Sequence, residues 1–357
     1  MGRYNGGMAK GGAHFSSEEL VKVLSHYEIG VVHRVAPLSG GDRRAPKVVV
    51  TADRGMFVLK RRPRGRDDLS RVAFAHAVHK RLTERAFPVP DLVPTTDDGG
   101  TALSIENHIY EFFRYVEGER CDGSAEETRE AGRQLALFHK DLAQMSPPSS
   151  PTGGVAGWAT EGCFHDSQMV RRHLKLISSG RHTGSIRKAR AVVESLLIRY
   201  DRCSARVNRF AFAAWKRQVI HGDWHPGNLL FAGGRMVAVV DFDSIRIAPP
   251  PTDLANGMLQ FSIVADRPDP ADWPDHFDES RLLEFLNGYR QVTRLSQRKL
   301  YGLIDLMVET MIAEAVLPVA ATGSFGHLSG LPFLDMIVRK TKWLRHHRKD
   351  LTQKFLA

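Results

Sequence analysis

Cysteine is scarce in this chain. Three residues, Cys121, Cys163 and Cys203, are scattered through 357. Their odd number and wide spacing exclude a disulfide-stapled scaffold and a zinc-ribbon pattern, and they predict incidental thiols in a reducing compartment. Long apolar runs are missing too: none approaches the ~20 residues of a membrane-spanning helix. The opening Met1-Gly2-Arg3-Tyr4-Asn5-Gly6-Gly7 lacks the apolar core of a signal peptide, and no Ser or Thr stands at position six to support myristoylation of Gly2. A cytoplasmic protein with no membrane partner is therefore expected. Aromatic residues make up 8% of the chain and do not interleave the basic runs. Despite a net charge of +10, a base-stacking surface is absent, so nucleic acid is not expected as a partner. The apolar share, 42%, is ordinary for a globular chain, and the length suggests two or three structural units.

One stretch concentrates polar chemistry: His221-Gly222-Asp223-Trp224-His225-Pro226-Gly227-Asn228, then Val239-Val240-Asp241-Phe242-Asp243. Asn228 follows Asp223 by five positions, and Asp241 follows Asn228 by thirteen. Leu229-Leu230-Phe231 and Met236–Val240 read as strands joined by the turn Ala232-Gly233-Gly234-Arg235. A hairpin there predicts that Asn228 and Asp241 lie side by side. An amide carbonyl and a carboxylate are the oxygen ligands Mg²⁺ takes when it also meets substrate phosphates. Asp223, in the same loop, is placed to orient an attacking hydroxyl.

This order of residues resembles the aminoglycoside phosphotransferase and choline kinase group, whose loop reads H-G-D-x-H-x-x-N and whose later D-L-A is matched by Asp253-Leu254-Ala255. The look is nearest to homoserine-kinase-like and spore-coat-kinase-like members. The resemblance implies an α+β, two-lobed, protein-kinase-like fold. A β-rich lobe would span about 15–113 after a disordered tail of about 14 residues, and a mainly helical lobe would span 114–357. It implies transfer of the ATP γ-phosphoryl group, with Mg²⁺, to a hydroxyl of a small-molecule acceptor. In that scheme Asp223 is catalytic, Asn228 and Asp241 hold the metal, and Lys60 meets both across the nucleotide cleft.

In the first third, a β-meander runs through Val31–Leu38, Lys47–Thr51 and Met56–Lys60. Gly40 and Gly41 sit at its first bend, where glycine lets backbone approach phosphates. Lys60 ends an apolar strand, where a bare ammonium needs a partner, and in the resembled family a lysine there holds the α- and β-phosphates. Arg61 and Arg62 read as snorkelling edge residues. His108–Tyr115 resembles the hinge and places adenine near Glu111 and Phe113. The helix from Asp67 to Arg85 resembles the kinase C helix, which offers a Glu to the strand lysine. Here its centre, Phe74-Ala75-His76-Ala77-Val78-His79, carries no carboxylate, and His76 stands nearest that place. This departure gives the alternative expectation of a catalytically weak or inactive nucleotide-binding pseudokinase. A Ser/Thr protein kinase of the same fold is a further alternative.

Helices are expected over Glu126–Leu142, in much of 165–217, and over Met258–Ala265, Glu279–Val292, Gln297–Leu317 and Leu334–Leu351. The basic residues of the last, Arg339, Lys340, Lys342, Arg345, Arg348 and Lys349, are expected to face water. His139, His221, His225 and Asp253 read as scaffolding, and Asp243 as the cap of a turn or else a second metal contact.

Overall fold

The computed structural model describes residues 14–38, 45–63, 65, 67–145, 167–179, 186–265 and 267–357. Gly40, Gly41, Cys163, the tail through residue 13 and the Pro/Ser/Gly-rich stretch 146–157 lie outside the described residues. The chain divides into two compact units, Met1–Gly118 with Val237–Asp243, and Glu119–Met236 with Ser244–Ala357. The segment ending in Asp241-Phe242-Asp243 thus groups with the first unit, whereas the sequence reading assigned it to the second.

In the first unit, helix α1 (Ser17–Leu24) starts with a capping box: the Glu19 N–H donates to Ser16 Oγ at 3.1 Å, and the Ser16 N–H donates back to the Glu19 carboxylate. Strands β1 (Val32–Pro37), β2 (Lys47–Ala52) and β3 (Gly55–Arg61) precede helix α2 (Leu69–Glu84), and β4 (Ala102–Ile105) and β5 (His108–Arg114) follow it. All five strands form one antiparallel sheet in the order β1-β2-β3-β5-β4. Period-two alternation fixes its face: Val48, Val50, Phe57, Leu59, Tyr110 and Phe112 are buried, against Val23 and Leu24 of α1. Phe57 and Phe112 stack at 4.9 Å. Each fully buried side chain of this size contributes about 1.5–3 kcal/mol. The same register sets Lys60 opposite Lys47 on one side and Glu111 on the other.

The second unit is mainly helical. It contains β6 (Glu119–Arg120), α3 (Ala125–Asp141), α4 (Ser167–Ser178), α5 (Ile186–Arg209), β7 (Gln218–Ile220), β8 (Leu229–Ala232) and the start of β9 (Arg235–Val239). After these come β10 (Arg246–Ala248), α6 (Pro250–Ser262), α7 (Glu279–Arg290), α8 (Gln297–Thr322), β11 (Ser324–Phe325), β12 (Leu328–Ser329), α9 (Gly330–His346) and α10 (Arg348–Leu356). The expected hairpin is present as β8 and β9, adjacent in the sheet β6-β8-β9. Helices α3 and α7 approach so closely that a Cβ on Gly288 would stand 1.8 Å from the Arg129 carbonyl oxygen, so only glycine fits there.

Three helix boundaries differ from expectation. Helix α6 begins at Pro250 and takes in Thr252-Asp253-Leu254-Ala255; proline is tolerated in a first turn because its missing N–H is unpaired there anyway. Helix α8 runs past Pro318 to Thr322 and stops at Gly323 with φ +77°; this far along, proline removes one hydrogen bond, the one to the Glu314 carbonyl. The last helix is two, broken at His347. Nor do all its cations face water. Lys340 is fully buried, donates to the Pro274 and His276 carbonyls at 2.9 and 3.0 Å, and lies 4.9 Å over the Phe277 ring. Among the described residues no helix is long and apolar enough to cross a membrane.

Candidate active site

In the first unit the chemistry gathers around Lys60, at the end of β3 and 4% exposed. Its Nζ donates to Asp243 Oδ1 at 2.6 Å and Asp241 Oδ1 at 3.1 Å, and stands 3.7 Å from Glu111 Oε2. Lys47 donates to the other Asp241 oxygen at 3.1 Å. Arg62 donates to Glu111 at 2.8 Å and lies 3.2 Å from Asp243. Three cations thus face three carboxylates, the balance that burying charge requires. Burial works against the Lys60 ammonium, yet Asp241, Glu111 and Asp243 outweigh it and hold its pKa above the ordinary lysine value. Burial likewise opposes ionisation of Asp241 and Glu111. Lys60 and Lys47 hold the first well below the usual carboxylate range; Lys60, His76 and Arg62 do so for the second.

Glu111 of β5 is a carboxylate beside Lys60 where helix α2 offers none. His76 Nε2, from α2, donates to Glu111 at 2.7 Å, and its Nδ1 accepts from the Thr101 hydroxyl at 2.7 Å. The lysine's carboxylate therefore comes from the neighbouring strand, and the helix contributes a histidine that holds that carboxylate. Asp241 has φ +67°, a left-handed backbone that Asp tolerates better than most residues. His79 packs edge-on to Phe242 at 5.1 Å and lies 6.0 Å from Phe113, and burial pushes its pKa down to about 4.

In the second unit the loop after β7 is fixed by Asp253, in the first turn of α6. One Asp253 oxygen accepts the His221 N–H and the other the Gly222 N–H, both at 2.9 Å. His139 Nε2 donates to the same carboxylate at 3.1 Å, and the Tyr289 hydroxyl donates to His139 Nδ1 at 2.9 Å. Burial opposes ionisation of Asp253, but His139, His221 and Arg246 keep its pKa low. Gly222 has φ +79°, and a Cβ there would meet the Ser244 carbonyl oxygen at 2.4 Å. This turn leaves the Asp223 side chain 42% exposed. Asn228 Nδ2 donates to the Asp223 carbonyl at 3.0 Å and to its carboxylate at 3.3 Å. With its nitrogen so committed, the Asn228 amide keeps its oxygen as a candidate ligand. That oxygen and the ionised Asp241 carboxylate are hard donors of the kind Mg²⁺ takes.

Most of the sequence-singled residues are placed by these contacts. Lys60, Glu111 and Asp241 meet in the first unit, and Asp223 and Asn228 meet in the second. Phe113 is half-buried on β5, bridged to Leu92. Two expectations are corrected. Arg62 is 4% exposed and doubly paired, not a snorkelling edge residue, because Glu111 and Asp243 compensate its charge. Asp243, expected to cap a turn, instead turns its carboxylate to Lys60 and Arg62.

Sequence reasoning missed Glu314 of α8. It lies within electrostatic reach of Asp223, Arg246 and Asp253, and burial followed by the Asp223 charge pushes its carboxyl up to about 8. The available signal was a carboxylate in an otherwise apolar stretch, Met311 to Val316.

Comparison with known proteins bears on this arrangement. The chain is 26% identical over 238 residues to stress response kinase A of Salmonella choleraesuis and to the Serine/threonine protein kinase RdoA of Salmonella typhimurium. It spans 66% of the length of these curated relatives, and 66% of its own length is matched. Among solved structures it resembles a microcompartment-associated aminopropanol kinase, with a TM-score of 0.69 and 16% identity, covering 93% of this chain and 97% of that one. It also resembles an amicoumacin kinase in complex with AMP-PNP and Ca²⁺, with a TM-score of 0.65 and 16% identity, covering 95% and 94%. These likenesses establish the expected α+β, kinase-like fold. Residues 34–301 match the family described as the phosphotransferase enzyme family, which is also the enzyme class expected from the loop. This chain belongs to that phosphotransferase family.

Proposed function

We propose that this protein transfers the γ-phosphoryl group of ATP to a hydroxyl of a small-molecule acceptor, with Mg²⁺ assistance. The observation that carries the reading is the loop around Asp223. Its backbone is clamped by Asp253 and its neighbour Asn228 is oriented by Asp223 itself, while the Asp223 carboxylate stays open to solvent. Asp223 accepts the acceptor's hydroxyl proton. Asn228 and Asp241 hold Mg²⁺, which when bound neutralises charge on the phosphates. Lys60 steadies the α- and β-phosphates, kept cationic by the carboxylates around it. Adenine lies along β5 near Glu111 and Phe113; Gly40 and Gly41, expected at the phosphates, lie outside the described residues. Phosphoryl transfer asks for positioning and charge stabilisation more than covalent help.

The pseudokinase alternative rested on a missing helix carboxylate, and Glu111 fills that role, which favours an active enzyme. The charge around Asp223 also favours a class of acceptor. Asp253, Glu314 and Asp223 lie within electrostatic reach of Arg246, an acid-rich surrounding suited to an acceptor bearing an amine beside its hydroxyl.

The test is thermal unfolding with and without Mg-ATP, with turnover measured on amino alcohols. Mg-ATP at 100 times its dissociation constant stabilises the folded wild type by about 2.7 kcal/mol. Asp241→Asn loses the magnesium-dependent part of this shift. Asp223→Asn keeps the shift and loses turnover by at least ~10²-fold. Full turnover in Asp223→Asn, or no shift in the wild type at millimolar Mg-ATP, overturns the proposal.

A further inference from the structure

Helix α5 carries Arg199, Arg202 and Arg206 at spacings of three and four, which set all three on one face. Helix α9 carries Arg345 in its last turn and α10 begins with Arg348. These five guanidiniums line one small concavity of about 60 Å³ in the second unit, room for a few water-sized groups and so for a single tetrahedral anion.

One carboxylate lines it with them, Asp305 of α8, fully buried. It is already taken. Arg348 reaches both Asp305 oxygens at 2.6 Å and Arg206 donates to one at 2.9 Å. Arg199 spends an N–H on the Val338 carbonyl and on Thr341 Oγ1. No carboxylate pairs with Arg199, Arg202 or Arg345 among the described residues. Five positive charges against one negative in a shared hollow repel one another. Burial, then repulsion from Arg345, lowers the pKa of Arg199. Arg202 and Arg345 are exposed and Arg199, Arg206 and Arg348 half-buried, so the surplus is open to solvent and attracts an anion to the hollow, and none of it is used by the phosphoryl-transfer residues.

We propose that this arginine-lined concavity is a second ligand site, which takes the phosphate group of a small molecule. A tetrahedral dianion offers three or more acceptor oxygens to guanidiniums arriving from α5, α9 and α10, the planar donors best matched to it. A monovalent carboxylate leaves most of the surplus uncompensated. The phosphate's source is either free inorganic phosphate or a phosphate monoester, and the two share this chemistry.

Isothermal titration of the full chain, at fixed ionic strength set with chloride, tests the site with inorganic phosphate and separately with glycerol 2-phosphate. Saturable binding of one equivalent is expected. The Arg202→Ala/Arg345→Ala double variant, whose side chains hold no ion pair, weakens it at least tenfold while its melting profile stays that of a folded protein. Arg202→Lys/Arg345→Lys restores part of the affinity. Binding of the ester as well as inorganic phosphate assigns the site to phosphate esters; binding of inorganic phosphate alone assigns it to the free ion. No saturable binding of either, or binding unchanged in the double alanine variant, overturns the proposal.

Discussion

The charged groups around Lys60 and those around Asp223 are built on opposite plans. In the first unit Lys47, Lys60 and Arg62 cancel Glu111, Asp241 and Asp243, and the neighbouring cations hold Glu111 and Asp241 well below the usual carboxylate range. In the second unit Asp223, Asp253 and Glu314 outnumber Arg246, and one carboxyl, Glu314, is pushed up to about 8. A balanced set is rigid and tolerates burial. An acid surplus is strained until a cation or a proton arrives. The contrast suits a division of labour in which one region holds a ligand's charge in a fixed place and the other manages a proton.

The comparison breaks most easily at Glu111. Glu111→Gln leaves Lys60 and Arg62 with Asp241 and Asp243 alone, and removing one partner of a buried ion pair costs about 3–5 kcal/mol. Urea denaturation at neutral pH should show a loss of that size, against less than about 1 kcal/mol for Asp223→Asn at its exposed position. Equal costs for the two variants would mean that charge balance does not set the stability of the first unit.

Gly222→Ala comes next. The positive φ and the 2.4 Å approach to the Ser244 carbonyl make any side chain strained, at about 1–3 kcal/mol. The larger consequence is displacement of the turn that Asp253 clamps. Turnover should fall together with stability, whereas Asp223→Asn lowers turnover alone. A Gly222→Ala enzyme with normal turnover would show that the clamp does not position Asp223.

What the sequence disclosed about these regions follows from how far each contact reaches along the chain. Asp223, Asn228 and their hairpin were readable because the loop chemistry is contiguous, and a glycine turn between apolar runs has few other meanings. Lys60 was readable because an ammonium ending an apolar strand demands a partner. The partner itself was not, since Glu111 reaches Lys60 through strand register, fifty-one residues downstream. The C-helix pattern pointed instead to an absent glutamate. Arg62 and Lys340 looked like surface cations because their compensating groups, Asp243 in one case and two backbone carbonyls in the other, are invisible locally. Glu314 was hidden by the apolar helix around it.

The finest discrimination between the two plans is the pH response of Glu314→Gln. The folded-state pKa of Glu314, about 8, lies above its usual 4.5. Between these values the folded chain binds more protons than the unfolded one, so this residue's contribution to stability falls as pH rises. Glutamine removes that loss. The variant should melt at the same temperature as the wild type below about pH 4.5, and its advantage should grow with pH and level off above about 8. An amine-bearing acceptor reverses the sign: its cation stabilises the ionised Glu314, so the variant should bind such acceptors more weakly while binding Mg-ATP normally. A Glu314→Gln protein with no pH-dependent gain would place its carboxyl among the balanced charges, and the contrast between the two regions would then rest on Arg246 and Asp253 alone.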